Sequence, residues 1–494
     1  MGDNGELAVG ETSASRTAVR WQWFCWWWAL AVLMHAVQAW PLYGSLDRPS
    51  LTGTFELLGA GCAVLLLVYP VSLVLLGIMS MAICGAAWSA SPVIGNHWMV
   101  NALLALALLL SLGYGVLRRR CSLSSALPEV FLPTARGVFF VFYTFSALSK
   151  INRAFLDPAV SCATFFTDET ARSLGWKSLD TSGAAGLGRV IAVCVIVIEL
   201  GVVVLLSMRR TRPFGVLLAV VFHSLIGLDG LHPFADFTSI VYALMVLFLP
   251  DSFFEWIRER AGSSVGVKQA VQVVVRGAVP LALLAMVVAR SLDLSPQGNG
   301  RVDDVRDVFW RLLMAIVTAT IVVFLVARRG SIRAKQSSAT VLASPRWLLV
   351  IPVIALLNGI TPYVGVKTVA SWNMYSNLVT AKGYENGLLI PTDWQWRDSQ
   401  NDLVRIVNSS DPGLQVYAED SYVMPFLTLR AYTASRPDIS LTYVRATLQY
   451  HVTRVGDDPD LARPVPGWLR KLASYRSFDG RTPARCEDRF LPAA

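Results

Sequence analysis

Long apolar stretches follow one another through most of this chain, and they constrain its fold more than any other feature. Runs of near-spanning length fall at about 21–40, 54–69, 71–88, 97–116, 137–150, 187–207, 213–229, 234–249, 270–291, 306–327 and 345–361. About 20 consecutive apolar residues cross the ~30 Å hydrocarbon core of a bilayer as one helix. The pattern therefore predicts about 10–11 transmembrane helices, with 54–69, 137–150 and 234–249 short. Pro70 leaves 54–88 open as one kinked helix or a helical hairpin. Only 16% of the 494 residues are charged and 54% are hydrophobic, whereas soluble chains average about 25% charged. A soluble enzyme, a disordered chain and a disulfide-built scaffold are excluded.

Charge orients the spans. With the N-terminus inside, the inner connections at 1–20, 117–135, 208–212, 250–269 and 328–346 hold 16 basic residues. The outer connections hold five: Arg48, Arg153, Arg172, Lys177 and Arg301. Cytoplasmic loops carry the excess of Lys and Arg, so this split puts residues 1–20 in the cytoplasm and 362–494 outside it. The whole formal charge of +9 lies in residues 1–370, while 371–494 carry 14 basic and 14 acidic residues. The basic balance thus reflects loops beside spans and gives no reason to expect nucleic acid. The run from Trp21 lacks a small-residue cleavage site and reads as a retained first helix.

Residues 362–494 have the composition of a small soluble α/β domain. "LQVYAEDSY" and "ISLTYVRATLQYHV" read as strands, and "DLVRIV" as an amphipathic helical turn. The predicted fold class is an all-α polytopic membrane protein, with a helical domain at 21–361 and this small extracytoplasmic α/β domain at its C-terminus. Cys162 and Cys486 are the cysteines this topology puts outside, where an oxidising compartment permits a bridge. No CxxC or Cys/His metal spacing is present, so no metal is expected.

Ionisable and amide side chains within spans are costly and conspicuous. His97 opens its run from the outer side, and Asn101, at i+4, shares its face. Lys150 closes its run at the outer end. His223 lies about 15 Å into its run at the α-helical rise, with His232 further out. Lys150 and the histidines could thus line one outward cavity, where desolvation would lower a lysine's pKa toward that of a general base. The plainer readings stay open beside this one. Lys150 can be an interfacial anchor, the histidines hydrogen-bonded structural residues, Glu199 a paired or protonated intramembrane acid, and Glu56 interfacial.

Several motifs resemble a known family. "IGNHWMVNALLALAL", "FFVFYTFSALSKINRAFLD", "VIELGVVVLLS", "VFHSLIGLDGLHPFADFTSIVYALMVL" and "TPYVGVKTVASWNMYSN" occur in the order and rough spacing of motifs in the vitamin K-dependent γ-glutamyl carboxylases. Their wider relatives are the horizontally transferred transmembrane (HTTM) family. The resemblance spans about residues 20–400. It implies an integral membrane enzyme in which Lys150 matches the base that activates a reduced naphthoquinone, a vitamin K-like hydroquinone. Oxygen then converts that quinol to a strongly basic alkoxide, leaving the epoxide. The alkoxide removes a γ-proton from a glutamate and carbon dioxide adds, without a metal. His97 and His223 match histidines of the active region. Asn101, Asn152, Glu199, His232, Trp372 and Asn373 are expected around the quinol pocket. The implied partners are membrane lipid, a membrane quinone and an extracytoplasmic protein or peptide substrate. Position 373 is Asn where the carboxylase motif has Asp, and Lys150 stands alone where the carboxylases have a lysine pair. A non-catalytic multi-pass protein that binds lipid or a partner protein is the competing expectation.

Overall fold

The computed structural model describes residues 4–39, 50–92, 94–117, 123–176, 179–229, 234–261, 277, 279–291, 296–327 and 345–486. Helices dominate. In chain order they are α1 (Asn4–Ala39), α2 (Leu51–Val68), α3 (Leu73–Ala90), α4 (Asn96–Leu117), α5 (Leu123–Ser149), α6 (Cys162–Ser173), α7 (Ala185–Ser207), α8 (Arg212–Ile226), α9 (Ala235–Val246), α10 (Asp251–Ala261), α11 (Val279–Ser291), α12 (Pro296–Ala327) and α13 (Val350–Ile360).

Six helical segments among the described residues are long and apolar enough to cross a membrane: 51–68, 73–90, 96–117, 126–149, 185–207 and 304–327. A seventh arises if α9 and α10 count as one span bent by 99°. This is fewer than the pattern predicts. Shorter apolar helices cover Arg212–Ile226, Val279–Val288 and Arg346–Ile360, at the runs expected at 213–229, 270–291 and 345–361; residues 270–276 and 278 lie outside the described residues. The question at Pro70 resolves as two helices, because a turn separates Val68 from Leu73. The connection expected at 117–135 is helical from Leu123 despite Pro128 and Pro133. Packing holds it: the Phe131 ring lies 5.4–6.2 Å from those of Phe24, Trp21 and Trp28. The most apolar of the six segments, Ala185–Ser207, is only 22% buried. Val190, Val193, Val197 and Val204 are exposed along it, an inside-out distribution that suits a lipid solvent.

The chain groups into two compact units, each built from separated stretches. One comprises 1–89, 97–140 and 200–353; the other comprises 90–96, 141–199 and 354–494. In the first unit, α1 packs on α2, α9, α10 and α11. The sharp bend between α9 and α10 frees carbonyl groups that an apolar surround cannot hydrate. Two arginines take them. Arg136 donates from Nε and Nη2 to the Leu247 carbonyl at 2.9 and 2.6 Å. Arg20 donates to the Leu249 carbonyl at 3.1 Å and to Asp251 at 2.6 Å.

The second unit carries an antiparallel sheet of order β4-β3-β1-β2-β5. Its strands are β1 (Leu403–Ser409), β2 (Tyr422–Pro425), β3 (Leu441–Arg445), β4 (Leu448–Val452) and β5 (Phe478–Asp479). α14 (Pro412–Glu419), α15 (Phe426–Thr433) and α16 (Gly467–Leu472) accompany it. Val404, Ile406, Leu414, Tyr417, Met424, Leu429, Leu441 and Tyr443 form its core. Two local expectations are corrected. "DLVRIV" belongs to β1, with Val404 and Ile406 buried and Arg405 and Val407 exposed; that alternation has a period of two. Most of "LQVYAED" lies in α14. Asp411 caps that helix by accepting from the Leu414 N–H at 3.0 Å, and Pro412 opens it, a favoured helix start. "LTYVRATLQYHV" makes the β3–β4 hairpin, turning through Ala446 and Thr447 at φ 46° and 71°.

α6 occupies a stretch for which the apolar pattern predicts no element. Its first residue, Cys162, is bridged to Cys486, with Cα atoms 4.7 Å apart. This is the pair that an oxidising compartment permits. Reduced and denatured protein should therefore titrate two more thiols than unreduced, denatured protein. Cys486→Ser should abolish that difference and lower stability by about 2–4 kcal/mol, measured by thermal unfolding in detergent. An unchanged thiol count would remove the bridge.

Candidate functional site

Among the described residues, each unit contains a cluster of buried ionisable groups that includes a residue singled out by the sequence. In the second unit the cluster is centred on Lys150, where α5 ends. The Lys150 ammonium lies 3.0 Å from Glu199 Oε2, and both side chains are 8% exposed. Nζ also donates to the carbonyl and hydroxyl oxygens of Ser146, each at 3.1 Å. Ser146 is one turn back on the same helix, so α5 itself aims the lysine. The residues expected to partner Lys150 were His97, Asn101 or His223; Glu199 and Ser146 are the partners found. The interfacial anchor reading would leave the ammonium in water or headgroups, and the burial of the pair opposes it.

Around this pair, Asn152 is fully buried and holds three backbone groups. Its Nδ2 donates to the carbonyls of Ser149 and Ser376 at 2.8 and 2.6 Å, and its Oδ1 accepts from the Phe155 N–H at 2.8 Å. Asn152 therefore ties the end of α5 to the segment 370–377. That segment is strained. Ala370, Trp372, Tyr375 and Asn377 all have φ between 51° and 59°, a left-handed region costing roughly 1–2 kcal/mol for a residue with a Cβ. Hydrogen bonds over-determine it. The Trp372 N–H donates to Asn96 Oδ1 and its indole to the Ala355 carbonyl, both at 2.7 Å. The Asn358 amide donates to the Ala370 carbonyl at 2.7 Å. Asn377 accepts from the Cys162 N–H at 2.8 Å. Strain maintained in this way concentrates at functional sites. Asn373 lies within the segment, and its buried Oδ1 has no hydrogen-bond partner among the described residues.

Lys367 is a second desolvated lysine that the sequence pattern does not single out. Its ammonium donates to Asn358 Oδ1 at 2.6 Å, and burial lowers its pKa to about 8.

The first unit holds the other cluster. Asp236, in the first turn of α9, meets two histidines on one carboxylate oxygen: His35 Nδ1 at 2.7 Å and His97 Nε2 at 2.8 Å. His35 Nε2 faces Glu56 Oε1 at 3.5 Å. His97 was anticipated. Glu56, expected at an interface, is instead 2% exposed; His35 and Asp236 carried no sequence signal of their own. Asn101 accepts from the Trp28 indole N–H, a packing role one turn from His97. His223 is buried near the end of α8, with its ring 5.2 Å from that of Phe237. His232 lies outside the described residues.

Compared with family models, curated proteins and solved structures, the chain matches none of them.

Chemically, the Lys150 cluster can exchange a proton inside an apolar surround, and the strained segment supplies a rigid wall in the same unit. Lys367 provides a check on how dry this region is. Ordinary lysines titrate near 10.4. Burial penalises the charged form, so the folded chain releases this proton first. The cost of Lys367 is complete below about pH 8 and is relieved as pH rises from there toward 10.4. Unfolding followed across that window in detergent should show stability rising with pH, and Lys367→Met should flatten the rise. Competitive acetylation should give Lys367 a midpoint near 8.

Proposed function

We propose that this is a multi-pass membrane enzyme whose proton-transfer group is Lys150, acting on a membrane quinol as the vitamin K-dependent carboxylases do. The observation that carries this reading is the buried Lys150–Glu199 pair, with the lysine where the carboxylase-like motif puts its base. In an apolar site an ammonium–carboxylate pair lies close in energy to its neutral form, because charge separation is poorly solvated there. Passing the ammonium proton to Glu199 across 3.0 Å leaves Lys150 as a free amine. That amine takes a quinol hydroxyl proton, and Glu199 holds the displaced one. A reduced quinone held there would, with oxygen, supply a base strong enough to take a carbon-bound proton from the second substrate, so that carbon dioxide could add in carboxylation or closely related chemistry. No step of this scheme calls on a metal. Asn152 and the rigid 370–377 segment, with Trp372 and Asn373, fit the role of walls that fix the quinol ring.

Lys150→Arg keeps a cation that can still pair with Glu199 but cannot act as a base near neutral pH. Quinol oxidation should fall by about 10²–10⁴-fold, the range typical for loss of an acid–base group. Folding and quinone retention, read by thermal unfolding and extraction of bound lipid, should persist. Full quinol-dependent activity in Lys150→Arg would overturn the assignment and leave the pair a structural one in a lipid- or partner-binding protein.

The same reading places residues 362–494 outside the cytoplasm. The basic split between connections supports this, and the Cys162–Cys486 bridge supports it independently, since such bonds persist in oxidising compartments. A cysteine introduced at the exposed Asn408 should react with an impermeant maleimide in intact cells. Labelling only after permeabilisation would invert the topology.

A further inference from the structure

We propose that His35, His97 and Asp236 bind one first-row divalent cation of the zinc type, with Glu56 orienting His35. Each comes from a different helix, and the three donor atoms lie within 4.8 Å of one another. Two imidazoles and a carboxylate are a common three-ligand set for such a metal, leaving a position open to water or substrate. The site lies in the first unit and the proposed base in the second, so neither assignment depends on the other.

Three features of the surround fit a ligand set better than a plain hydrogen-bond cluster. First, His35 is aimed on both sides. Nδ1 points at Asp236 and Nε2 at Glu56, which is the carboxylate–histidine–metal arrangement. A proton on Nε2 facing Glu56 leaves the Nδ1 lone pair for the cation. Second, the ring is held in place: it stacks on Trp98 with centroids 3.5 Å apart and planes 12° apart. Third, the site is dry: Asp236 and Glu56 are 4% and 2% exposed, and buried carboxylates require pairing or metal coordination. Among the described residues His97 Nδ1 is buried without a hydrogen-bond partner, and the 3.5 Å between His35 Nε2 and Glu56 Oε1 stops short of a formed hydrogen bond.

The contacts of 2.7 and 2.8 Å to Asp236 are hydrogen-bond distances. Ligands on tetrahedral bonds of about 2.0–2.1 Å stand about 3.3 Å apart. Binding therefore asks these donors to open by about half an ångström, which small side-chain rotations supply. His97, the least buried of the three at 15% side-chain exposure, marks the side open to a fourth ligand.

The test uses the full chain purified in detergent, stripped with a chelator and dialysed against Zn²⁺ alone. Elemental analysis should find one zinc per chain. Asp236→Asn and His35→Gln should lose it. Glu56→Gln keeps every ligand and should bind about 10–100-fold more weakly. Co²⁺ in place of zinc should give the intense visible absorption of a tetrahedral site. Should the variants fail to fold, wild-type protein still decides. Zinc should protect His35 and His97 from diethylpyrocarbonate while leaving His451, exposed on β4, as reactive as before. Wild-type protein that takes up well under one zinc, or equal modification with and without zinc, would overturn the site and leave a proton-bridged His–Asp–His cluster. Full zinc retention in both ligand variants would place the metal elsewhere and overturn it equally.

Discussion

A charge buried between apolar helices persists only if another polar group meets it, and the helical part of this protein is arranged around that requirement. Removing one partner of such a pair costs about 3–5 kcal/mol, since the other is left uncompensated. Arg20 reaches from α1 to Asp251 of α10, Asp236 joins α9 to α1 and α4, and Lys150 joins the end of α5 to α7. Each pairing links helices distant in sequence, so each fixes a register that greasy surfaces alone leave loose. For helices apolar enough to cross a bilayer, lipid would supply little hydrophobic force to do that work. The bend at residues 247–250 shows the same rule for the backbone. A sharp break is tolerated there because two guanidinium groups, from α1 and α5, take the freed carbonyls.

The helices were legible because their signal is dense. The runs opening near 54, 71, 97, 187 and 306 match α2, α3, α4, α7 and the 304–327 part of α12 to within three residues at each end, since apolar length is a local property. The bend after Val246 was legible only as the end of a run: apolar residues continue to Leu249 and Pro250 follows, while the arginines that hold the turned carbonyls lie far off in sequence. In the sheet region, "DLVRIV" suits either a helical face or a strand edge over six residues. Pairing with β2 and β3 decides it, and pairing is non-local. "LQVYAED" was misread because its aromatic and β-branched residues suggest a strand, whereas the Asp411-Pro412 start was the stronger cue.

The candidate sites divide in the same way. Lys150 was legible as a costly residue at a run's end, and Glu199 as an intramembrane acid, but their pairing requires the fold. Depth arithmetic grouped Lys150 with residues of similar depth and could not select the helix facing it. His35, His97 and Asp236 are separated by 62 and 139 residues, beyond any spacing motif. In the structure each of the three lies within about a turn of a helix end, where side chains of several helices can meet. The left-handed residues of 370–377 left no mark in the sequence, because alanine, tryptophan and tyrosine are unusual there.

The bridge between Cys162 and Cys486 also bears on how the chain is made. Its two cysteines are separated by 324 residues, and the unit containing them draws on stretches beginning at 90, 141 and 354. During synthesis, the thiol of Cys162 is exposed long before its partner exists, while the helices of the other unit are still being produced. Ribosomes add about 5–20 residues per second, so this interval lasts roughly 15–65 s. During that time the thiol must be kept from the thiols of other chains. The second unit cannot close domain by domain from its N-terminus. It is completed late, after translation has passed residue 354, and its oxidation serves as the final fastening of a body whose parts were delivered out of order.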